Sequence, residues 1–438
     1  MKKFFVTGLL ISTTHFLLAQ KSIDAVINSK EVERIERTLA SDEMRGRKVY
    51  SPEIDKAADF IAAEFKAAGL KTWNNSNSYR QEFSVVTTKL SNSSYVFDNS
   101  TVEEKNVVVL TTQPGLFINE KSGFEKVKIE PGKSLSSEAR KLLKGKKNYL
   151  AIVDTSYSRS FSQLSRLKRQ LFKSDYSVVF VLTSSDPKGY VVEARHEITE
   201  QKLSNVVGII PAKGLPTGRA GKKNEYVVFS GHYDHLGVTT RPVNNDSIYN
   251  GANDDAAGTT AVIMLAKYFA QSKNNERTLV FAAFTAEEVG GFGSQYFSQQ
   301  FPDPASVIAM LNIEMIGTES KWGKNSAYIT GYEKTDMGTI LQKNLEGTGF
   351  TFYPDPYTAQ SLFYRSDNAT LARLGVPAHT ISTSKMDNEP NYHKVTDHVE
   401  TLDMDNMAMI IKSIALSAKS IISGKDSPSR VKVEELTR

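Results

Sequence analysis

Metal-binding and acid–base chemistry is concentrated in the second half of the chain, where five of the seven histidines fall between His232 and His398. That clustering weakens the bland reading of each as an isolated surface residue. His232 and Asp234 stand in Gly231-His232-Tyr233-Asp234-His235, directly after the apolar run Tyr226-Val227-Val228-Phe229-Ser230. Glu287-Glu288 follow Leu279-Val280-Phe281-Ala282-Ala283-Phe284, and Glu314 closes Ile308-Ala309-Met310-Leu311-Asn312-Ile313. Asp254 lies in a loop before a helix, and His393 in Asn391-Tyr392-His393. Two histidines and three carboxylates suffice for two divalent ions, and imidazole with carboxylate suits zinc. There are no cysteines, so a thiolate-closed structural knot is excluded and positions for water and substrate stay open. Of two adjacent glutamates one can ligate while its neighbour faces bound water, which sets a ligand beside a general base. An isolated Glu-Glu pair is otherwise a solvated surface feature. Asp234, two residues beyond His232, is placed to accept from the ring nitrogen that does not touch metal.

Such residues converge only if strands deliver them to one edge. β-branched and aromatic runs predict strands at Asn205 to Pro211, Tyr226 to Ser230, Thr278 to Phe284, Val307 to Ile313, Ser326 to Thr330 and Ala378 to Ser382. Between them, helical patterns span Ala257 to Gln271, Gly293 to Gln300, Met337 to Gly347, Asn368 to Leu374 and Met404 to Ser423. This alternation predicts an α/β fold with a mostly parallel central sheet covered by helices, whose ligands meet where the strands end. Upstream, Val26 to Leu39 reads as one surface-packed helix, and Ser51-Pro52 as the cap and first turn of another closed by Gly69. Residues 84–192 change character, with β-rich pieces at Asn106 to Thr112, Tyr149 to Asp154 and Ser177 to Thr183 and no ligand cluster. They are expected to form an inserted β-rich subdomain. The division is then 1–20 signal, 21–83 helical segment packing on the catalytic domain, 84–192 insertion and 193–438 catalytic domain.

Composition excludes other classes. The 438 residues carry a formal charge of +5, too mild to argue for nucleic acid. Met1-Lys2-Lys3 and the apolar stretch to Ala19 have the pattern of a secretory signal, too short for a membrane span, so export to the periplasm or medium is expected. A thiol nucleophile is impossible, and H-E-x-x-H, G-x-S-x-G and P-loop patterns are missing.

Five motifs taken in order then carry a resemblance: Gly231-His232-Tyr233-Asp234-His235, Asn253-Asp254-Asp255-Ala256-Ala257-Gly258, Ala286-Glu287-Glu288-Val289-Gly290, Arg365-Ser366-Asp367 and Tyr392-His393. Together they closely resemble the co-catalytic zinc exopeptidases, the family of the secreted bacterial leucyl aminopeptidases, glutamate carboxypeptidase II and the transferrin receptor ectodomain. The likeness covers about Val206 to Ser423, and Leu39 to Arg47 also looks like the amino-terminal segment of exported members. It implies two zinc ions bridged by Asp254, one completed by His232 and Glu314 and the other by Glu288 and His393. It further implies Glu287 as general base, Tyr392 as the hydroxyl steadying an oxyanion, a cis peptide before Asp255, and substrate contacts from Arg365, Ser366 and Asp367. Two positions depart from the pattern: Glu314 replaces the usual aspartate, and Asn368 follows Asp367 where the family often has histidine. The implied activity is removal of amino-terminal residues from peptides. A mono-zinc glutaminyl cyclase and a non-catalytic binding ectodomain share the fold and stay open as alternatives.

Overall fold

The computed structural model describes residues 22–168, 170–213, 222–271 and 275–436; the signal-like segment 1–20 lies outside the described residues. Eight strands carry the argument: β1 Arg80–Phe97, β2 Tyr190–Ile210, β3 Lys222–His232, β4 Arg277–Phe284, β5 Val307–Ile313, β6 Ser326–Ile329, β7 Thr351–Pro354 and β8 Ala378–Ser382. They lie in one sheet in the order β7-β6-β8-β5-β3-β4-β2-β1. Its centre is parallel, with β3 between β4 and β5 and β8 beyond β5. Both flanks are antiparallel, at β2 against β4 and β1 and at β6 against β8. The sheet is therefore mixed, because β1 and β2 are two long strands of one antiparallel arm.

Helices α1 Ser29–Leu39, α2 Pro52–Ala67, α3 Ala257–Ala270, α4 Phe292–Ser298 and α5 Met404–Ser417 complete the frame. The upstream helix is broken: Asn28 caps α1 by accepting from the Glu31 amide at 3.1 Å, so a separate turn, Ile23–Val26, precedes it. Ser51 caps α2 in the same way, and Gly69 beyond its end has φ +81°. Helix α3 is buried almost throughout, and with α1, α2 and α5 it packs one face of the sheet through Val227, Phe229, Leu279, Phe281 and Leu311. A helix apolar on all sides belongs in such an interior layer.

Within 84–192 a second sheet of four strands runs in the order 107–110, 178–182, 149–153, 125–129. One face packs on Tyr95, Phe97 and Val192 of β1 and β2, and the other on Leu135 and Ala139 of its own helix. Strands β1 and β2 cross positions 84 and 192 as part of the central sheet, so the boundaries expected there fall within continuous strands. No helix among the described residues is long and apolar enough to cross a membrane.

Glu36 on α1 is fully buried, with Thr260 Oγ1 donating to one carboxylate oxygen at 2.8 Å. Burial pushes its carboxyl up to about 8, against the opposing effects of Thr260 and Arg47. A carboxyl raised in this way adds stability that is full below an ordinary 4.5 and lost as pH rises through about 8. Glu36→Gln keeps the shape without the titration. Its unfolding free energy should match the wild type near pH 5 and exceed it near pH 9, by a margin on the order of 1–3 kcal/mol. An equal difference at both pH values would contradict the assignment.

Candidate metal centre

Strand β3 places His232 level with Phe284 at the end of β4, and Ser230 level with Asn312 near the end of β5. The three parallel neighbours thus bring His232, Glu287-Glu288 and Glu314 to one edge, at the reversal of strand order where α/β sheets bind ligands. The backbone there turns sharply: Ala286, Met315 and His393 have φ of 59°, 54° and 55°, a left-handed conformation uncommon for residues other than glycine. Gly258, at the start of α3, passes so close that a Cβ would lie 2.1 Å from the Ile313 carbonyl and 2.4 Å from Asp255 Oδ2. Only glycine permits that approach.

Asp254 sits at the centre with its two oxygens turned to different partners. Oδ1 lies 3.2 Å from His232 Nε2, and Oδ2 lies 3.2 Å from His393 Nε2, which is also 3.2 Å from Glu288 Oε2. One group of donor atoms, from His232, Asp254 and Glu314, falls within 4.8 Å of one another; so does a second, from His235, Asp254 and Glu288. His232 Nε2, Glu288 Oε1 and Glu314 Oε2 are buried, and none of them has a hydrogen-bond partner outside the cluster itself. Buried polar atoms left this way are costly unless something else satisfies them. A converging set of imidazole and carboxylate donors without thiolate fits zinc.

Electrostatics follow from this crowding. Burial raises the Asp254 carboxyl, but His232 and His393 outweigh it and hold the group well below its ordinary range. His393 is correspondingly pushed up to about 10 by Asp254 and Glu288. Burial and the neighbouring charges of Glu314, Asp367 and Glu288 hold Glu287 well above the usual carboxylate value, against the pull of His232. Glu314 is raised to about 7, again chiefly by burial.

The surrounding groups hold these side chains from outside. Asp255 is joined to Asp254 by a cis peptide. Its carboxylate accepts from the amides of His232 at 3.1 Å, Gly258 at 3.0 Å and Met315 at 3.0 Å, tying three ligand-bearing segments together. Asp234 does more than face the His232 ring, whose Nδ1 lies 3.7 Å from its Oδ1. Its oxygens accept from the amides of Glu287 at 3.0 Å and Glu288 at 3.3 Å, whereas His232 Nδ1 lies 3.1 Å from the Asp234 main-chain oxygen. Asp234 therefore fixes the Glu-Glu turn.

A cleft opens over Asp254, Glu287, Glu314 and His393, with Arg365, Ser366 and Tyr392 also lining it. Tyr392 stacks on His393 at a ring separation of 4.0 Å, and Arg365 Nη2 reaches its hydroxyl at 3.5 Å. Burial raises the Tyr392 phenol, so it remains a proton donor. Asp367 is not part of the lining; it is buried, with its carboxyl raised to about 6 by burial. Asn368 bonds Phe363 and Ala378 carbonyls and has no place in the cleft.

Three further residues stand at the site that sequence reasoning did not single out for it. His235 is buried with its Nδ1 2.8 Å from Glu288 Oε1. Its position three residues after His232 was the available signal. Asp397 accepts from the amides of Asn253 at 2.9 Å and Asp254 at 3.1 Å. Arg47 reaches the ligand loops from the far end of the sequence. His379 and His398, by contrast, bond Thr330 and Thr335 or pair with Asp246, outside the cluster.

Residues 205–418 match the profile of peptidase family M28. The chain is 27% identical over 201 residues to leucine aminopeptidase 1 of Ajellomyces dermatitidis, covering 43% of this chain and 50% of that protein. It is 28% identical over 211 residues to a probable leucine aminopeptidase of Trichophyton verrucosum, covering 46% and 53%. The chain thus spans about half the length of the curated relatives it matches. Among solved structures, an aminopeptidase from Aneurinibacillus sp. strain AM-1 superimposes with a TM-score of 0.53 at 17% identity, covering 95% of this chain and 98% of that one. A zinc aminopeptidase from Bacillus subtilis gives 0.53 at 15% identity, covering 92% and 98%. At such identities these two speak for the fold. The matched segment contains every ligand candidate gathered at the sheet edge, and residues 205–418 are similar as a unit to peptidase family M28, the co-catalytic zinc exopeptidases.

Proposed function

We propose that this protein is an exported aminopeptidase whose residues would hold two zinc ions, with Asp254 common to both positions. The observation carrying the reading is the division of that one carboxylate, Oδ1 toward His232 and Oδ2 toward His393. His232 and Glu314 would complete one position, Glu288 and His393 the other. Bound zinc supplies Lewis acidity, polarising a carbonyl and easing deprotonation of water. Glu287, close by yet in neither donor group, accepts the proton of the attacking water and returns it to the departing amine. The Tyr392 hydroxyl donates to the oxygen on which negative charge develops. Arg365 and Ser366 contact the substrate from the cleft wall. Several buried carboxylates beneath the cleft favour a substrate that brings a positive α-amino group. The signal-like pattern of Met1 to Ala19 supports export.

A matched peptide set with free or acetylated amino ends tests the reaction. Free peptides should release their first residue and acetylated ones should not. Release from the carboxyl end, or cyclisation of an amino-terminal glutamine in place of hydrolysis, would overturn the reading.

A further inference from the structure

Arg47 lies more than 180 residues upstream of His232, yet it is fully buried against the loops that carry the ligands. Its guanidinium donates to four main-chain carbonyls: Nε to Tyr233 at 2.8 Å, Nη1 to Leu39 at 2.6 Å and Asn250 at 2.7 Å, and Nη2 to Gly251 at 2.9 Å. Tyr233 adjoins His232, and Asn250-Gly251 lead into Asp254. One side chain therefore spans the end of β3 and the loop of the central carboxylate. The fork of an arginine can do this because its donors are coplanar and fixed in angle, whereas a lysine presents a single ammonium.

The neighbouring contacts point the same way. Asn250 Nδ2 donates to Ala40 O and to Asp42 Oδ1, each at 2.9 Å. Gly46, at φ +68°, presses on the hairpin before the loop so closely that a Cβ would lie 2.4 Å from the Tyr249 carbonyl. From the opposite side Asp397 takes the amides of Asn253 and Asp254, and its carbonyl takes that of Ala252 at 3.2 Å. Carbonyls of the loop are thus held by the upstream segment and amides by Asp397. The Arg47 charge also faces Asp234, Asp254, Asp397 and Glu36. It is a fixed cation among buried carboxylates that would otherwise repel one another.

We infer that Arg47 is a positioning residue for the metal centre, holding the His232 and Asp254 loops at ligand spacing. The upstream segment is then part of the frame that holds the ligand loops. This inference rests on the zinc reading above.

The test uses the full chain, as wild type, Arg47→Lys and Asp42→Ala. Zinc affinity is measured by competition with a chromophoric chelator, and melting temperature is measured with and without zinc. Arg47→Lys should bind zinc at least ~10-fold more weakly, the usual consequence of removing a group that orients ligands. Its zinc-induced rise in melting temperature should shrink accordingly. Asp42→Ala, which leaves the buried arginine in place, should fold and show a smaller loss in the same direction. A purely structural arginine gives another pattern: the metal-free protein melts earlier while zinc affinity is unchanged, and that would overturn the inference. Should Arg47→Lys fail to fold, unchanged zinc affinity in Asp42→Ala overturns it. Wild type that takes up no zinc removes the zinc reading and the inference with it.

Discussion

Glu287→Gln lowers turnover by about 10²–10⁴-fold, the usual contribution of a positioned acid or base, and leaves zinc content and the unfolding transition as they were. The expectation comes from where the side chain stands. Glu287 lines the cleft beside Asp254 and Glu314 but belongs to neither group of converging donors. Burial first, then the charges of Glu314, Asp367 and Glu288, raise its affinity for a proton, as a general base requires. Its amide is already held by Asp234, so the turn keeps its shape when the side chain changes. Glutamine preserves volume and removes the proton acceptor. The adjacent change, Glu288→Gln, should deplete zinc, because Glu288 Oε2 lies 3.2 Å from His393 Nε2 and shares that position with Asp254. Metal analysis of both variants, together with steady-state rates, distinguishes the roles. A crossed outcome, with zinc lost from the first variant and kept by the second, would exchange base and ligand.

Asp254→Ala should cost both metals, and Glu314→Ala only one. The asymmetry follows from reach: Asp254 contributes an oxygen to each group of donors, while Glu314 enters only the group with His232. Losing the shared carboxylate also leaves His232 and His393 without the anion that each ring approaches at 3.2 Å. Turnover should fall below detection in Asp254→Ala. Zinc counted by mass spectrometry of the metal after gel filtration checks the result. If Asp254→Ala kept one tightly held zinc, the two positions would not share a ligand.

Much of this site was readable because its residues follow strands of plain character. Tyr226 to Ser230, Leu279 to Phe284 and Ile308 to Ile313 are β-branched or aromatic runs, and each stops where a ligand candidate begins. Adjacent parallel strands then bring those ends together, as the observed register of β3 with β4 and β5 does. Strand direction at the flanks was less accessible. Whether β2 runs with or against β4 depends on the long arm it forms with β1, and no local pattern in Asn205 to Ile210 carries that information. The break before α1 had a local signal, Asn28 ahead of Ser29, outweighed by apolar spacing that continues through Val26 and Ile27.

Side-chain partners chosen by tertiary approach were the least legible. Asp234 is two residues from His232, and proximity suggested a ring partner; that Glu287 and Glu288 also present two amides to it that need acceptors had no local signal. Asp397 and Arg47 are remote in sequence from what they hold, and neither sits in a pattern that periodicity can reveal. Their roles come from main-chain groups of the 250–254 segment, whose partners lie far away in sequence.

Zinc stoichiometry of the purified wild-type chain, followed through stepwise chelation while amino acid release from an unblocked peptide is recorded, tests the central claim most directly. The shared Asp254 predicts close to two zinc per chain, with removal of the metal abolishing release and zinc restoring it. One zinc per chain with full turnover would contradict it.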